Sequence, residues 1–206
     1  MNTKVILIAA GAAMMCGFSS AQDELLRDPG IEAGFSGDPR DISPWGTFGA
    51  AGVNRFFGDN GHLSFFSDAP GNSGGAFQGG IAGQAGIEYT FTLVDVRIES
   101  NFNANMRFGL EFYEADDATK IDEVFVDLDT AADLTPLGEV NGGTFQMSAT
   151  AVAGTVFVRP VIIFDGAAPL GQGQANLFVF EASLIPAPGA GFLGIAGSCL
   201  LARRRR

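Results

Sequence analysis

The chain has 206 residues, with 12 Lys and Arg against 23 Asp and Glu, which gives a formal net charge of −11. Nucleic acids and anionic membrane surfaces repel so acidic a protein, which argues against both as partners. A sequence that is 47% hydrophobic and 17% charged, with 19 Phe, is typical of a folded chain and not of a disordered one. One His and two Cys leave little material for a zinc site, a cysteine nucleophile or a disulfide framework.

Residues 1–21 have the three parts of a secretory signal peptide. Lys4 precedes an apolar run over 5–17, and Ser-Ser-Ala at 19–21 supplies the small residues of a cleavage site. We expect signal peptidase to cut after this site. The alternative is a buried N-terminal helix, and the polar, acidic residues that follow at once, beginning with Asp23, argue against it.

Residues 22–185 contain short apolar runs separated by Gly, Asn, Asp and Pro, which predicts one domain built from strands. In the run 89–98, Tyr89, Phe91 and Leu93 alternate with polar residues, the period of a half-buried strand. The apolar positions change phase at Val94, which predicts a β-bulge. Weaker strands are expected at 62–67, 75–81, 123–128 and 144–149.

The segment 106–113 has the most regular alternation in the chain. Its even-numbered residues from Met106 to Phe112 are apolar and are expected to face the core. Arg107, Glu111 and Tyr113 fall on the opposite, more polar face of the same strand. This strand therefore places two charged side chains and an amphipathic aromatic ring on one surface.

Two further strands are predicted at 156–164 and 178–184, and residues 129–134 have room for one helical turn. Pro160 has no N–H for a ladder, so we expect it at a sheet edge or a bulge. In the last strand the alternating apolar residues expected in the core are Phe178, Phe180, Ala182 and Leu184. Eight or nine short strands with Gly-rich turns predict an all-β fold, an antiparallel β-sandwich of the jelly-roll type with a Phe-rich core.

The C-terminal segment 186–206 has three parts: Pro186-Ala187-Pro188, an apolar stretch over 189–202, and a basic end. The basic end consists of Arg203, Arg204, Arg205 and Arg206. As a helix, 14 residues would span about 21 Å, short of the roughly 20 residues that cross a bilayer comfortably. The arginines would stay on the cytoplasmic side. The pattern favours a temporary inner-membrane anchor, and a plain C-terminal anchor is the alternative.

The two ends change the charge and cysteine arithmetic. Five of the 12 basic residues lie in them, so 22–185 holds 7 bases against all 23 acids, a net charge of −16 over 164 residues. Cys16 and Cys199 also lie in the end segments. The domain itself has no cysteine, so disulfides do not contribute to its stability.

The three-part tail resembles the PEP-CTERM sorting signal of Gram-negative bacteria, with Ala187 where that family usually has Glu. The resemblance implies that an exosortase-like enzyme in the inner membrane removes the tail. It also implies a final location outside the cell or on its surface, often in organisms that make exopolysaccharide.

The domain resembles the galactose-binding-like jelly roll of many carbohydrate-binding modules. The matching features are the opening Leu26–Glu32, Trp45, a Gly-Gly-x-x-Gln stretch over 74–78, a Gly-x-x-Tyr strand over 86–89, and the last two strands. The resemblance implies that the domain binds polysaccharide. It also implies a structural Ca²⁺ held by Glu32 and Glu181, which is consistent with the acidic composition.

Sugar recognition needs an aromatic platform beside planar polar groups, and the candidates are Trp45 and Tyr113, with Glu111 and Arg107 beside Tyr113. The alternatives are a core position for Trp45 and a merely solvated strand face for the other three. A second calcium candidate, the Asp-Leu-Asp run at 127–129 with Asp133, lacks the Gly and closing Glu of an EF-hand and also fits a solvated acidic turn.

No catalytic residues are predicted. His62 is the only histidine, and no Ser-His-Asp pattern accompanies it. The sequence thus leaves three functions open: a non-enzymatic exported protein that binds exopolysaccharide, a purely structural matrix or adhesion protein, and a glycan-active enzyme with a carboxylate pair.

Overall fold

The computed structural model describes residues 23–31, 44–49, 53–54, 62–67, 72–98, 105–129, 134–136, 142–167 and 175–187. These segments contain strands and turns and no helix. The strands are β1 (Gly46–Gly49), β2 (Val53–Asn54), β3 (Leu63–Ser67), β4 (Asn72–Phe77), β5 (Ile81–Ala82), β6 (Glu88–Ile98), β7 (Asn105–Tyr113), β8 (Lys120–Asp129), β9 (Thr135–Pro136), β10 (Gly143–Thr150), β11 (Phe157–Ala167) and β12 (Ala175–Pro186).

The strands form two sheets. The first sheet has the order β1-β4-β11-β7-β8, with β5 beside β11, and the second has the order β10-β6-β12-β3-β2, with β9 beside β6. Every pairing is antiparallel except that of β6 with β9. The predicted all-β antiparallel sandwich is confirmed.

The core lies between the sheets and is rich in phenylalanine. Phe91 of β6 and Phe108 of β7 are both fully buried, with ring centroids 5.8 Å apart. Phe65 of β3 and Phe164 of β11 meet edge to face at 6.2 Å. Each pair joins one sheet to the other in a geometry that aromatic rings prefer, so the alternating residues of the sequence meet as expected.

The predicted bulge in β6 is confirmed. Gly143 of β10 pairs with Val96 whereas Phe145 pairs with Leu93, so β6 has one extra residue at this point. Asp95 lies in the bulge with φ 55°, and its carboxylate accepts hydrogen bonds from Gly142 N at 2.6 Å and from Arg97 Nε at 2.6 Å. These bonds fix the bulge and lower the pKa of Asp95, chiefly through the arginine.

Of the two expected positions for Pro160, the sheet edge was wrong, and the residue lies instead at an irregularity where three steps along β11 face four steps from Phe77 to Ile81. It lies in β11, the central strand of the first sheet, and pairs with Leu110 of β7. On its other side β11 changes partner, from β4 at Val161 to β5 at Val158. Pro160 faces this break, where its carbonyl accepts a hydrogen bond from Gln78 N at 3.2 Å. The missing N–H thus falls where no ladder partner is required. The strand predicted over 75–81 is divided at the same point into β4 and β5.

The predicted phase of the last strand is correct only in its second half. Ala182 and Leu184 face the core. Between Val179 and Ala182 the alternation changes phase, so that in the first half of the strand Leu177 and Val179 are the core-facing residues. Phe178 and Phe180 lie on the outer face, with ring centroids 5.3 and 5.0 Å from that of His62, and the expectation that they face the core was wrong. Arg97 lies over the ring of Phe180 at 5.0 Å.

The segment 23–31 joins both sheets. The Glu24 carboxylate accepts a hydrogen bond from the N–H of Leu184, a residue of β12 in the second sheet, at 2.8 Å. Arg27 N donates to the Gln78 side chain at 2.8 Å, at the break between β4 and β5 of the first sheet. Gln78, which ends the Gly-Gly-x-x-Gln stretch, is fully buried. It therefore serves as an internal anchor for the opening segment.

Several sequence predictions fall outside the described residues. These are the signal peptide, Glu32, most of the helical turn at 129–134, and the tail from residue 188 to Arg206. No helix long and apolar enough to cross a bilayer occurs in the segments that the structure describes.

Candidate functional site

The outer face of the first sheet carries a shallow cavity of about 240 Å³, which we call the outer-face depression. It crosses four strands, β1, β4, β11 and β7. Its lining consists of Phe48, Phe77, Glu111, Tyr113, Arg159 and Val161. Apolar rings and charged groups therefore border one open space.

Glycines allow the aromatic rings to lie flat on this face. Phe77 pairs with Gly46 across β1 and β4, and Phe48 pairs with Gly75 across the same two strands. A Cβ atom added to Gly46 would come within 2.7 Å of the Phe77 ring, and one added to Gly75 within 2.6 Å of the Phe48 ring. Each ring thus occupies the space above its cross-strand glycine, an arrangement in which the ring covers a strand that has no side chain to pack.

The same arrangement recurs at the far side of the sheet. Phe125 of β8 pairs with Gly109 of β7, and a Cβ at Gly109 would lie 2.7 Å from the Phe125 ring. Val161 fills the row between them, because it pairs with both Gly109 and Phe77. The result is an apolar row that runs across β1, β4, β11, β7 and β8, a distance of about 19 Å at the usual strand spacing.

Arg159 is held between two aromatic rings. Its Cζ atom lies 4.0 Å from the ring centroid of Tyr113 and 4.9 Å from that of Phe77. Nη1 also donates to the Tyr113 hydroxyl at 2.9 Å. A flat, delocalised cation suits this position because it stacks on rings and donates hydrogen bonds from its edge at the same time.

Glu111 is the acceptor at the centre of the polar side. It accepts from the Tyr113 hydroxyl at 2.7 Å and from Lys120 Nζ at 3.0 Å. Glu123 lies directly opposite Glu111 in the ladder, and Lys120 donates to it as well. Like charges opposite each other destabilise a sheet, so Lys120 compensates for the pair. These bonds, that to Glu123 above all, raise the pKa of the Lys120 ammonium group.

Tyr113 is 6% exposed, and its burial raises the pKa of the phenol to about 12, with the hydrogen bond to Glu111 adding to the effect. At neutral pH the hydroxyl is therefore protonated and donates to the carboxylate. It is also an acceptor for Arg159, so the phenol links the cation of β11 to the anion of β7.

The turn between β7 and β8 contacts the depression through Arg159. Arg159 Nη2 donates to the carbonyl of Asp117 at 3.2 Å, and Asp117 adopts φ 50°. The Asp116 carboxylate accepts from Ala118 N, Thr119 N and Thr119 Oγ1. These bonds, first of all those from Thr119, lower the pKa of Asp116 to about 2. The turn is thus held in place from within and by Arg159.

The four sugar-binding candidates occupy three kinds of position. Tyr113 and Glu111 lie together in the depression, and Arg159 covers one face of the Tyr113 ring. Arg107 lies on the same sheet face but further along, where it pairs with Asp165 at 3.5 Å and stacks on Phe125 at 5.1 Å. Trp45 is 4% exposed and belongs to the hydrophobic core, so the alternative interpretation of Trp45 as a core residue is correct.

Sequence reasoning did not single out Phe48, Phe77, Lys120 or Arg159 for this site. A signal for the first two exists, because Gly and Phe are two apart in both Gly46-Thr47-Phe48 and Gly75-Ala76-Phe77. It becomes meaningful only when β1 and β4 are known to be partners. Arg159 reaches Tyr113 from a strand 46 residues away in sequence, and no local pattern indicates that contact.

The calcium site at Glu32 and Glu181 stays a prediction. Glu181 is exposed on β12, and Glu32 lies outside the described residues. Across the segments described, no group of three or more His, Cys, Asp or Glu side chains is arranged to hold a metal ion.

Comparisons with known proteins give the fold. No family model and no curated protein matches the chain. The enzymatically active domain of tailspike protein 4 of bacteriophage CBA120 matches with a TM-score of 0.56 and 8% identity, over 79% of this chain and 21% of that one. A Stig cyclase of Fischerella sp. TAU, solved with an indole ligand, matches with a TM-score of 0.52 and 12% identity, over 82% of this chain and 100% of that one.

A third similar structure contains the CBM22-1 and GH10 modules of endo-1,4-β-D-xylanase 10B of Clostridium thermocellum, solved with xylohexaose. Its TM-score is 0.52 at 9% identity, over 80% of this chain and 28% of that one. This chain therefore spans only a minor part of the tailspike and xylanase chains, and the whole of the cyclase. Since one fold supports unrelated functions, these similarities establish the sandwich and leave the function to the site.

Proposed function

We propose that this protein is an exported, non-catalytic β-sandwich that binds extracellular polysaccharide in the outer-face depression. The observation that carries the proposal is the pair of rings, Phe48 and Phe77, lying flat above cross-strand glycines beside a hydrogen-bonding rim. Phe48 is 40% exposed, so a ligand can reach its ring.

A sugar ring matches this surface in two ways. Its apolar face packs on an aromatic ring, and its hydroxyl groups need donors and acceptors at the edge of the platform. Phe48 and Phe77 have centroids 6.3 Å apart at an interplanar angle of 41°, so together they form an angled platform. Glu111 and Lys120 supply an acceptor and a donor at its edge, and both are held in place by other residues.

The fold supports the proposal without deciding it. The xylanase with the CBM22-1 module shares the sandwich, and so does the cyclase, which is an enzyme. We favour binding over catalysis because Glu111 and Glu123, the carboxylate pair at the site, both accept hydrogen bonds from Lys120. A glycosidase needs one carboxyl group free to protonate a leaving oxygen. Release of reducing ends from a bound polysaccharide would overturn the non-catalytic part.

Export and sorting remain proposals drawn from the two ends of the chain. Signal peptidase removes residues 1–21, and an exosortase-like enzyme cuts within the tail after transient insertion in the inner membrane of a Gram-negative bacterium. The product is secreted or attached at the cell surface. In the folded domain Pro186 still pairs with Tyr89, and Ala187 N donates to the Glu88 carbonyl at 2.6 Å. We therefore expect cleavage beyond residue 187, and mass spectrometry of the mature chain tests both cuts. A mature chain that still ends in Arg206 would contradict the sorting proposal.

A glycan array probed with the purified protein tests the binding proposal. We expect retention on at least one polysaccharide, lost in Phe77→Ala and kept in Gln146→Ala. Gln146 lies on the outer face of the second sheet, where it bonds Thr92 at 3.1 Å, so it is a control for a surface substitution away from the depression. If the protein retains no glycan, the binding proposal fails and the structural matrix or adhesion function takes its place.

A further inference from the structure

We propose that the outer-face depression selects neutral glycans and rejects carboxylated or sulfated ones. This inference rests on the proposed function and specifies its ligand class. It comes from the charges around the depression, because each described cation that lines or borders it is already bonded to a group of the protein.

Lys120 is the most exposed cation of the rim, with 41% of its side chain exposed, and it is shared by two carboxylates. Its Nζ atom donates to Glu111 at 3.0 Å and to Glu123 at 2.5 Å. An anionic glycan that sought this ammonium group would enter the field of both carboxylates. Like-charge contacts of this kind are a strong basis for rejecting a ligand.

Arg159 is the second cation, and both of its terminal nitrogens already donate hydrogen bonds to the protein. Nη1 donates to the Tyr113 hydroxyl, while Nη2 lies 3.2 Å from the Asp117 carbonyl and 3.4 Å from its carboxylate. Recognition of a carboxylate or sulfate by arginine ordinarily uses the free fork of the guanidinium group. Here both terminal nitrogens are directed at groups of the protein, and the guanidinium group also lies near the rings of Phe77 and Tyr113.

The charge of the wider surface also disfavours anionic glycans. Arg27, beyond the depression, donates to the Gly79 carbonyl at 3.0 Å. Among the described residues, these three cations are matched by three carboxylates, namely Glu111, Asp117 and Glu123, so the described part of this surface has no surplus positive charge. The domain over 22–185 has a net charge of −16. A negative field over the surface opposes the approach of a polyanion and has little effect on a neutral chain.

The test is retention on polysaccharides that differ only in charge, each neutral polymer being paired with its carboxymethylated form. We expect the wild-type protein to be retained on a neutral polymer and to prefer it by about tenfold over the charged form at low ionic strength. Added salt should leave retention on the neutral polymer unchanged, because no ion pair forms between glycan and protein.

Two substitutions with the same change in net charge separate local pairing from the overall field. Glu123→Gln removes one partner of Lys120 at the rim, and we expect severalfold higher retention on the carboxymethylated polymer. Glu88→Gln changes an exposed residue of β6 in the second sheet and should leave that retention unchanged. Melting temperatures of both variants confirm that the domain remains folded.

The outcomes are distinguishable. If the wild-type protein is retained on neither form of any polymer, the binding proposal itself fails, and this inference with it. If it is retained equally or better on the charged form, the ligand class is wrong while glycan binding stands. If Glu123→Gln and Glu88→Gln behave alike, the local pairing argument is wrong.

Discussion

Replacing Arg159 with lysine tests how the depression is held together. The substitution keeps the positive charge but removes the flat group that lies between the rings of Tyr113 and Phe77. The guanidinium group donates one hydrogen bond to the Tyr113 hydroxyl and another to the Asp117 carbonyl, and we expect lysine to keep only one of these two bonds. An ammonium group on a flexible stem cannot meet all four partners at once.

The expected loss follows from those contacts. Each cation–π contact at a partly exposed site contributes about 0.5–1 kcal/mol, and a net hydrogen bond about 0.5–1.5 kcal/mol. Two stacking contacts and one hydrogen bond give a loss of about 2 kcal/mol in the free energy of unfolding. With a urea dependence of about 2 kcal/mol per molar, the unfolding midpoint should fall by about 1 M.

Arg107→Lys is the matched control, since Arg107 lies on the same sheet face. It has one stacking partner, Phe125 at 5.1 Å, and an exposed ion pair with Asp165 at 3.5 Å. We expect it to cost about 0.5 kcal/mol. Urea titrations followed by circular dichroism measure both. Equal midpoints for Arg159→Lys and Arg107→Lys would refute the idea that the sandwiched guanidinium group organises the depression.

Three other predictions concern stability. Because the folded pKa of Tyr113 is about 12 and a free phenol titrates near 10, its protonated form contributes stability that is complete below pH 10 and is lost as the pH rises to about 12. Urea midpoints should therefore fall less steeply over this pH range in Tyr113→Phe, and an unchanged slope would contradict the assignment. Phe108→Ala should cost about 3–5 kcal/mol, measured by calorimetry, because the fully buried ring leaves a cavity beside Phe91; a loss below about 1 kcal/mol would contradict the described core. EDTA should lower the melting temperature and Ca²⁺ restore it if Glu32 and Glu181 hold calcium, and an unchanged melting temperature counts against that site.

The sequence predicts the fold well because the strands are half-buried and their period is visible. The alternation over 106–113 and the phase change at Val94 both appear in the structure at the predicted places. The phase of β12 was missed because Phe178 and Phe180 are apolar yet pack on the outer face against His62. Hydrophobicity alone does not tell which side of a sheet a phenylalanine covers.

The candidate site was predicted only in part. Glu111 and Tyr113 are two residues apart on one strand, so their proximity is a local property that alternation reveals. Phe48, Phe77 and Arg159 join them through the strand order β1-β4-β11-β7, which no local pattern gives. The break that admits Pro160 beside Gln78 is likewise a property of the assembled sheet.

The most direct measurement of the central claim is calorimetric titration of a bound neutral oligosaccharide into the wild-type protein and Phe48→Ala. Because Phe48 is already 40% exposed, its loss should have little effect on folding and should weaken binding by about tenfold or more. Val126→Ala is the control, because Val126 is similarly exposed, at 37%. It pairs with the core residue Phe108, so it lies on the face of the first sheet opposite to the depression. Equal affinity of Phe48→Ala and the wild-type protein would contradict glycan binding in the outer-face depression.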